Sequence, residues 1–174
     1  MPPKIACLLG ASAGELADVP GLGPAKVGRL LAARELVRRV AERPAPVAIG
    51  SPEEAFALLG PRLAGLEREH FLVALLNRKH ALLAVELVAI GTLDATLVHP
   101  REVFREAVRR SAASVLLAHN HPSGDPTPSP EDRALTRQLL AAGETLGIQV
   151  LDHLVVGAGR FVSLRETTGL WAGT

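Results

Sequence analysis

Cysteine is almost absent: Cys7 is the only one in 174 residues, which excludes intramolecular disulfides, Cys-x-x-Cys zinc clusters and thiolate-ligated deaminase centres. Aromatic residues are scarce too, with four Phe, one Trp and no Tyr, so broad platforms for stacking on single-stranded bases are missing. No apolar run approaches the roughly 18 residues of a membrane span, and no charged-then-apolar leader opens the chain. The expected setting is the cytoplasm, with no membrane partner. A net charge of +1 gives no general attraction to nucleic acid. It does hide an asymmetry: residues 1–46 hold seven Lys/Arg against four Asp/Glu, and the remainder twelve against fourteen. Any affinity for phosphate therefore belongs to the N-terminal segment.

What is present is a hydrophobic content of 48%, carried mainly by Leu, Val and Ala, enough for one ordinary core with a small appendage. The clearest break is Glu42-Arg-Pro-Ala-Pro46, whose prolines disfavour a continuing helix. It divides the chain into residues 1–46 and 47–174. In the first segment Val19-Pro-Gly-Leu-Gly-Pro-Ala-Lys26 separates a short helix from a second one over Val27–Val40, with Val27, Leu30, Leu31, Arg34 and Val37 at helical spacing.

In the second segment Ser51-Pro-Glu-Glu54 starts a helix running to about Leu66, with an N-cap, a proline in the first turn and an acid behind it. His70–Leu76 and Ala81–Ile90 read as paired strands across the polar turn Asn77-Arg-Lys-His80. Pro100–Ala112 reads as a helix with Val103, Phe104, Ala107 and Val108 inward, and Ser114–Ala118 as a buried strand. From His119 to Pro130 four prolines and one glycine impose a loop, followed by a helix over Pro130–Leu146. Strands over Ile148–Val156 and Phe161–Leu164 complete the chain. Helices alternate with strands without a strict βαβ repeat, so the expected architecture is α/β: a mixed sheet with helices on both faces.

His119 and His121 close the apolar strand, and i and i+2 side chains leave a strand on the same face. The proline-rich loop can bring back Asp132, in the first turn of the next helix, as a third ligand. Two nitrogens and one carboxylate leave a tetrahedral ion with an open position, the arrangement of a catalytic zinc rather than a structural one. Ser129-Pro-Glu-Asp132 equally satisfies a capping box, and Ser51-Pro-Glu-Glu54 shows nearly the same string with no histidine beside it. That tetrad alone marks only a helix start; the preceding His-x-His pair gives it the second meaning.

His119-Asn-His-Pro followed by Ser129-x-x-Asp132 is similar to the JAMM motif of MPN+ (JAB domain) metalloproteins. With His99-Pro-Arg-Glu102 before it and Leu151-Asp-His153 after it, Ala118-His-Asn-His-Pro-Ser-Gly-Asp125 resembles their RadC branch over residues 47–170. The resemblance implies a JAB/MPN, cytidine-deaminase-like fold and one Zn2+ held by His119, His121 and Asp132. It also implies Ser129 as a donor to the oxyanion of a tetrahedral intermediate, and an upstream glutamate as the base. Glu69 fits that base, with Glu86 and Glu67 as alternatives. The implied activity is hydrolysis of peptide or isopeptide bonds in a peptide or protein substrate. The alternative is a DNA-repair protein acting as a metal-dependent nuclease.

Asn120 stands where peptidase members carry Ser or Thr, which puts substrate preference in question. Asp125 reads as a turn residue, and His153 as a satisfied core histidine, with support of the site from behind as its alternative. A zinc deaminase is excluded, because it requires a glutamate at position 121 and a Pro-Cys-x-x-Cys.

Residues 19–26 resemble a helix-hairpin-helix motif, in a shortened form of the N-terminal region that RadC proteins carry. Gly21, Gly23, Lys26 and Arg29 are its candidate contacts to a DNA backbone, within residues 19–34. A packing or dimerisation role is the competing reading, and exposed sheet edges make a homodimer reasonable.

Overall fold

The computed structural model describes residues 10–41, 47–91 and 98–172. The chain divides into two compact units, Met1–Ala45 and Pro46–Thr174. The proline-containing break at residues 42–46 lies outside the described residues.

In the first unit α1 (Ala13–Ala17) is started by a capping box between Ser12 and Glu15. A turn containing Gly21, at φ +89°, leads to α2 (Pro24–Ala41). This helix begins three residues before the expected Val27, because a proline in the first turn surrenders no helical hydrogen bond. Of its apolar spacing, Val27 is buried, whereas Leu30 and Val37 are exposed. Arg34 donates to the carbonyl of Ala11 at 2.6 Å, fastening the two helices to each other.

The second unit is a five-stranded mixed sheet. Its elements are α3 (Pro52–Leu63), β1 (Glu69–Leu76), β2 (Leu82–Gly91), α4 (Pro100–Arg109), β3 (Ser114–Asn120), α5 (Pro130–Leu146), β4 (Gln149–Gly157), β5 (Arg160–Ser163) and α6 (Leu164–Thr167). The order across the sheet is β2-β1-β3-β4-β5. Only β3 and β4 run parallel, joined through α5. One face is covered by α4 and α5 around Phe71, Val73, Leu75, Val115 and Leu117. The other is covered by α3 around Leu72, Ala74, Leu116, Ala118 and Leu154. Alternate residues of β1 thus serve opposite layers, and each buried Leu or Phe contributes about 1.5–3 kcal/mol.

Several boundaries differ from the sequence reading. Helix α3 stops at Leu63, soon after Pro61 removes a donor from its last turn. Helix α4 stops at Arg109, ahead of Ser111 at φ +52°. Val108, expected inward, is exposed, because Val103, Phe104 and Ala107 already fill the buried stripe and Val108 lies one step round the helix from it. Strand β3 continues through His119 to Asn120. The short α6 was not expected; Ser163 caps it by accepting from the N–H of Glu166 at 3.1 Å.

Candidate metal centre

The parallel strands β3 and β4 end side by side, and the loop leaving β3 lies against the end of β4. The N–H of His121 donates to Val156 O at 2.8 Å, so the ladder extends one step past β3. A tight turn follows, in which Gly124 N–H donates to His121 O at 3.0 Å and Gly124 has φ +82°. Gly157 permits this close approach: a Cβ there would lie 2.6 Å from the Gly124 carbonyl oxygen. The loop then delivers Ser129 to the start of α5.

His119, His121 and Asp132 converge. His119 Nε2 lies 3.1 Å from His121 Nε2 and 3.1 Å from Asp132 Oδ1, and His121 Nε2 lies 3.3 Å from Asp132 Oδ2. Donors about 2.0–2.2 Å from a tetrahedral ion stand about 3.3 Å from one another, so the cluster has the dimensions of a metal cage. Asp132 Oδ1 is buried and makes no hydrogen bond; its 3.1 Å approach to His119 is proximity without a directed proton. The other oxygen, Oδ2, accepts from Ser129 N–H at 2.7 Å. His121 directs Nδ1 at the carbonyl of Asp125, 2.8 Å away, which can only accept. Its Nδ1 therefore carries a proton, and in the neutral ring Nε2 is a bare lone pair. An orphaned carboxylate oxygen beside such a nitrogen fits a cation.

Burial lowers the pKa of His119, against the pull of Asp132. The Asp132 carboxylate raises that of the half-open His121, more than its burial lowers it. Burial of Asp132 favours its neutral form, yet the adjoining His119 and His121 and the Ser129 N–H outweigh this and hold it far below the usual carboxylate range.

Glu69 is the first residue of β1, half-buried, and shares a side of the strand with Phe71, which stands opposite His119. Its charge raises the pKa of both His119 and His121. Glu86 is instead ion-paired to Arg110 at 3.0 Å, and Glu67 is exposed ahead of the strand. Ser129 Oγ accepts from Asp132 N–H at 3.1 Å, completing the capping box. At Ser51 the acid behaves differently: Glu54 reaches back to Gly50 N–H, outside any histidine cluster.

Asn120 is buried and its amide is fully engaged. Oδ1 accepts from His70 N–H at 2.8 Å, while Nδ2 donates to Arg68 O at 3.0 Å and to Leu66 O at 3.4 Å. It clamps the segment that carries Glu69. Asp125 makes a turn, its carboxylate accepting from Thr127 N–H and Oγ1–H, and serves the site through its carbonyl alone. His153 is fully buried with both ring nitrogens engaged, as a core histidine should be, and one of its partners belongs to the site: its Nε2 lies 2.9 Å from His119 Nδ1 and its Nδ1 2.7 Å from Thr136 Oγ1. Thr136 was absent from the sequence reading. Its one signal was its position, a helical turn after Asp132.

In the N-terminal unit Gly21, Gly23, Lys26 and Arg29 are all exposed, and Lys26 folds back to donate to Gly21 O at 2.9 Å. Among the described residues no helix is long and apolar enough to cross a membrane.

The family model of the RadC-like JAB domain matches residues 49–170. Similar proteins include a UPF0758 protein of Desulforamulus reducens, 52% identical over 158 residues, covering 90% of this chain and 70% of that protein. One of Symbiobacterium thermophilum is 56% identical over 156 residues, covering 89% and 66% respectively. One of Rubrobacter xylanophilus is 53% identical over 161 residues, covering 91% and 70%. The chain thus spans about two thirds of the length of these relatives. A histidine–histidine–aspartate cluster at the head of two parallel strands, in a sequence matched by that family model over most of its length, places the chain in the RadC-like JAB domain family.

Proposed function

We propose that this protein is a zinc-dependent hydrolase of peptide or isopeptide bonds. The observation that carries the reading is the orphaned Asp132 Oδ1, converging with two histidine nitrogens on one point. Zn2+ suits two imidazoles and one carboxylate, and when bound it polarises a carbonyl and acidifies water. Glu69 then takes the proton of the attacking water and passes it to the leaving amine. Ser129, whose Oγ already accepts from Asp132 N–H, has its own hydroxyl proton to donate to the developing oxyanion. Asn120 holds the start of β1, and Glu69 with it, beside the site.

A groove of about 500 Å3 runs from His121 past Pro122 and Gly157 to Phe56, Pro61 and Leu66, and no Lys, Arg, Asp or Glu lines it. An uncharged groove favours a peptide segment over a phosphodiester chain. Among the described residues only one metal-ligating cluster forms, whereas nucleases commonly benefit from two ions.

The test is zinc-loaded protein incubated with a degenerate peptide library and isopeptide-linked conjugates, with new termini read by mass spectrometry and plasmid DNA in parallel. Cleavage of amides, lost in Glu69→Gln with zinc retained, is expected. Amide cleavage by zinc-free His121→Ala protein, or DNA nicking alone, sinks the reading.

A second reading concerns the N-terminal unit: the hairpin before α2 contacts a DNA backbone. Lys26 spends one of its three donors on Gly21 O, α2 has no acid in its first turn, and Arg29 is exposed nearby. Anisotropy titrations of labelled duplex at two salt concentrations should show weaker binding in Lys26→Glu/Arg29→Glu; identical curves remove the hairpin from consideration.

A further inference from the structure

Strand β4 departs from regular pairing beside the metal centre. Val115 of β3 is opposite Val150, but Leu117 is opposite His153, so β4 carries one extra residue in this stretch. Such a bulge reverses the alternation of side chains beyond it. Val150 packs in the α4–α5 layer, Leu151 in the α3 layer, and after the bulge His153 returns to the α5 side, against Phe71 and His119. Asp152 anchors the irregularity: its carboxylate accepts from His153 N–H at 2.6 Å, Ser163 Oγ–H at 2.6 Å and Arg165 N–H at 3.1 Å.

The hydrogen bonds from α5 to His119 have one consistent direction. Thr136 Oγ1 lies 2.6 Å from the backbone carbonyl of Asp132, one helical turn earlier. A carbonyl only accepts, so the single hydroxyl proton of Thr136 is committed there. Thr136 must therefore accept from His153, whose Nδ1 is 2.7 Å away and carries the proton. Its other nitrogen, Nε2, faces only the His119 ring, and in an imidazole that carries its single proton on Nδ1 it is a bare lone pair. That bare Nε2 lies 2.9 Å from His119 Nδ1, which must then be the donor. With the ring proton on Nδ1, the remaining nitrogen of His119, Nε2, is a lone pair aimed at Asp132 and His121.

We propose that Thr136 and His153 are positioning residues that lock His119 in the Nδ1–H tautomer and so present its Nε2 lone pair to the metal. The inference rests on the metal reading above. Partners of this kind orient a ligating imidazole and raise its basicity, and their loss typically costs 10–100-fold in metal affinity. The acceptor here is a second neutral histidine, so the lock holds only while Thr136 keeps the proton on the far nitrogen of that ring. The Asp132 backbone carbonyl starts the chain and the Asp132 carboxylate lies at its end, so α5 both contributes one ligand and orients another.

Two measurements test this. Metal-free wild type, labelled with 15N at histidine, should show Nδ1–H for His119 and His153 by imidazole NMR. Thr136→Val, nearly isosteric and lacking the acceptor, should shift His153 towards the Nε2–H form and His119 with it. Titration with Co2+ and Zn2+ should then give affinity about 10–100-fold weaker in His153→Leu. His153→Gln should recover most of it, since its amide accepts from His119 and donates to Thr136. A merely structural histidine would not be rescued by glutamine, nor would it change the His119 tautomer. Failure of wild type to bind either ion overturns the metal reading and this inference with it. Tight binding by wild type with unchanged affinity in folded His153→Leu, or an Nε2–H His119 in metal-free wild type, overturns this inference alone.

Discussion

Ser129 and Asp132 exchange two hydrogen bonds across the first turn of α5, and the exchange uses only one oxygen of the carboxylate. The capping function and the ligand function of the same tetrad are therefore separable. Asp132→Asn keeps an acceptor for the Ser129 N–H and should hold the helix start, with stability changed by about 1 kcal/mol. Bound metal should nonetheless fall from one equivalent to a small fraction. Ser129→Ala should show the reverse, a loss of about 0.5–2 kcal/mol with metal retained. Metal analysis of dialysed protein and thermal melts of both variants check this, and parallel losses of metal and stability in both would show the two roles to be fused.

Metal removal should be visible without any substrate. Three acceptor atoms gathered in a mostly buried site repel one another until a cation joins them, so the ion binds the folded chain in preference to the unfolded one. At a free concentration near 1,000 times the dissociation constant, that preference amounts to about 4 kcal/mol. For a unit of this size it raises the melting temperature by about 10 °C. Calorimetry of chelated and zinc-restored protein should show this shift in wild type and none in His119→Ala.

How much of this was legible in the sequence depended on whether the signal was local. The α5 start was readable because Ser129, Pro130 and Asp132 act within one turn, and the histidine pair because alternation puts His119 and His121 on one face of a strand. The bulge in β4 was not readable. It exists in the pairing of β4 with β3, while residues 148–156 alone look like an ordinary apolar strand, so His153 read first as core and only second as a support of the site. Thr136 was silent for a related reason: a threonine in a helix declares nothing until the strand beneath it puts a histidine against its hydroxyl. Asn120 was noticed for its departure from the peptidase pattern, but its partners lie about 50 residues earlier in the chain. The departure concerned the support of β1.

Replacing Asn120 should loosen the segment that bears Glu69. Asn120→Ala leaves His70 N–H and the carbonyls of Arg68 and Leu66 without their partner, at a cost of about 1–3 kcal/mol. Hydrogen exchange should report the loss as faster exchange at His70, while zinc affinity stays within about threefold because no ligand atom is touched. Asn120→Asp is the sharper variant: it keeps the acceptor for His70 and turns a second oxygen towards two carbonyls. It should therefore protect the His70 amide yet still destabilise. Undiminished protection of His70 in Asn120→Ala would mean that the β1 ladder alone holds the strand start.

The anchor of the β4 bulge gives a pH prediction. Burial raises the pKa of Asp152 above its ordinary value, although Ser163 and the N–H groups of Arg165 and His153 partly oppose the shift. A carboxyl whose folded-state pKa is raised stabilises the fold fully below its unfolded value and loses that contribution as pH rises through the folded one. Asp152→Asn does not ionise, and the groups of the metal centre titrate alike in both proteins and cancel on subtraction. The stability advantage of wild type over Asp152→Asn should therefore shrink as pH rises from about 4, the ordinary carboxyl value, through the raised folded-state one. Melts across that range measure it, and an advantage that grows with pH would mean that the three donors outweigh burial and that Asp152 anchors the bulge chiefly as an anion.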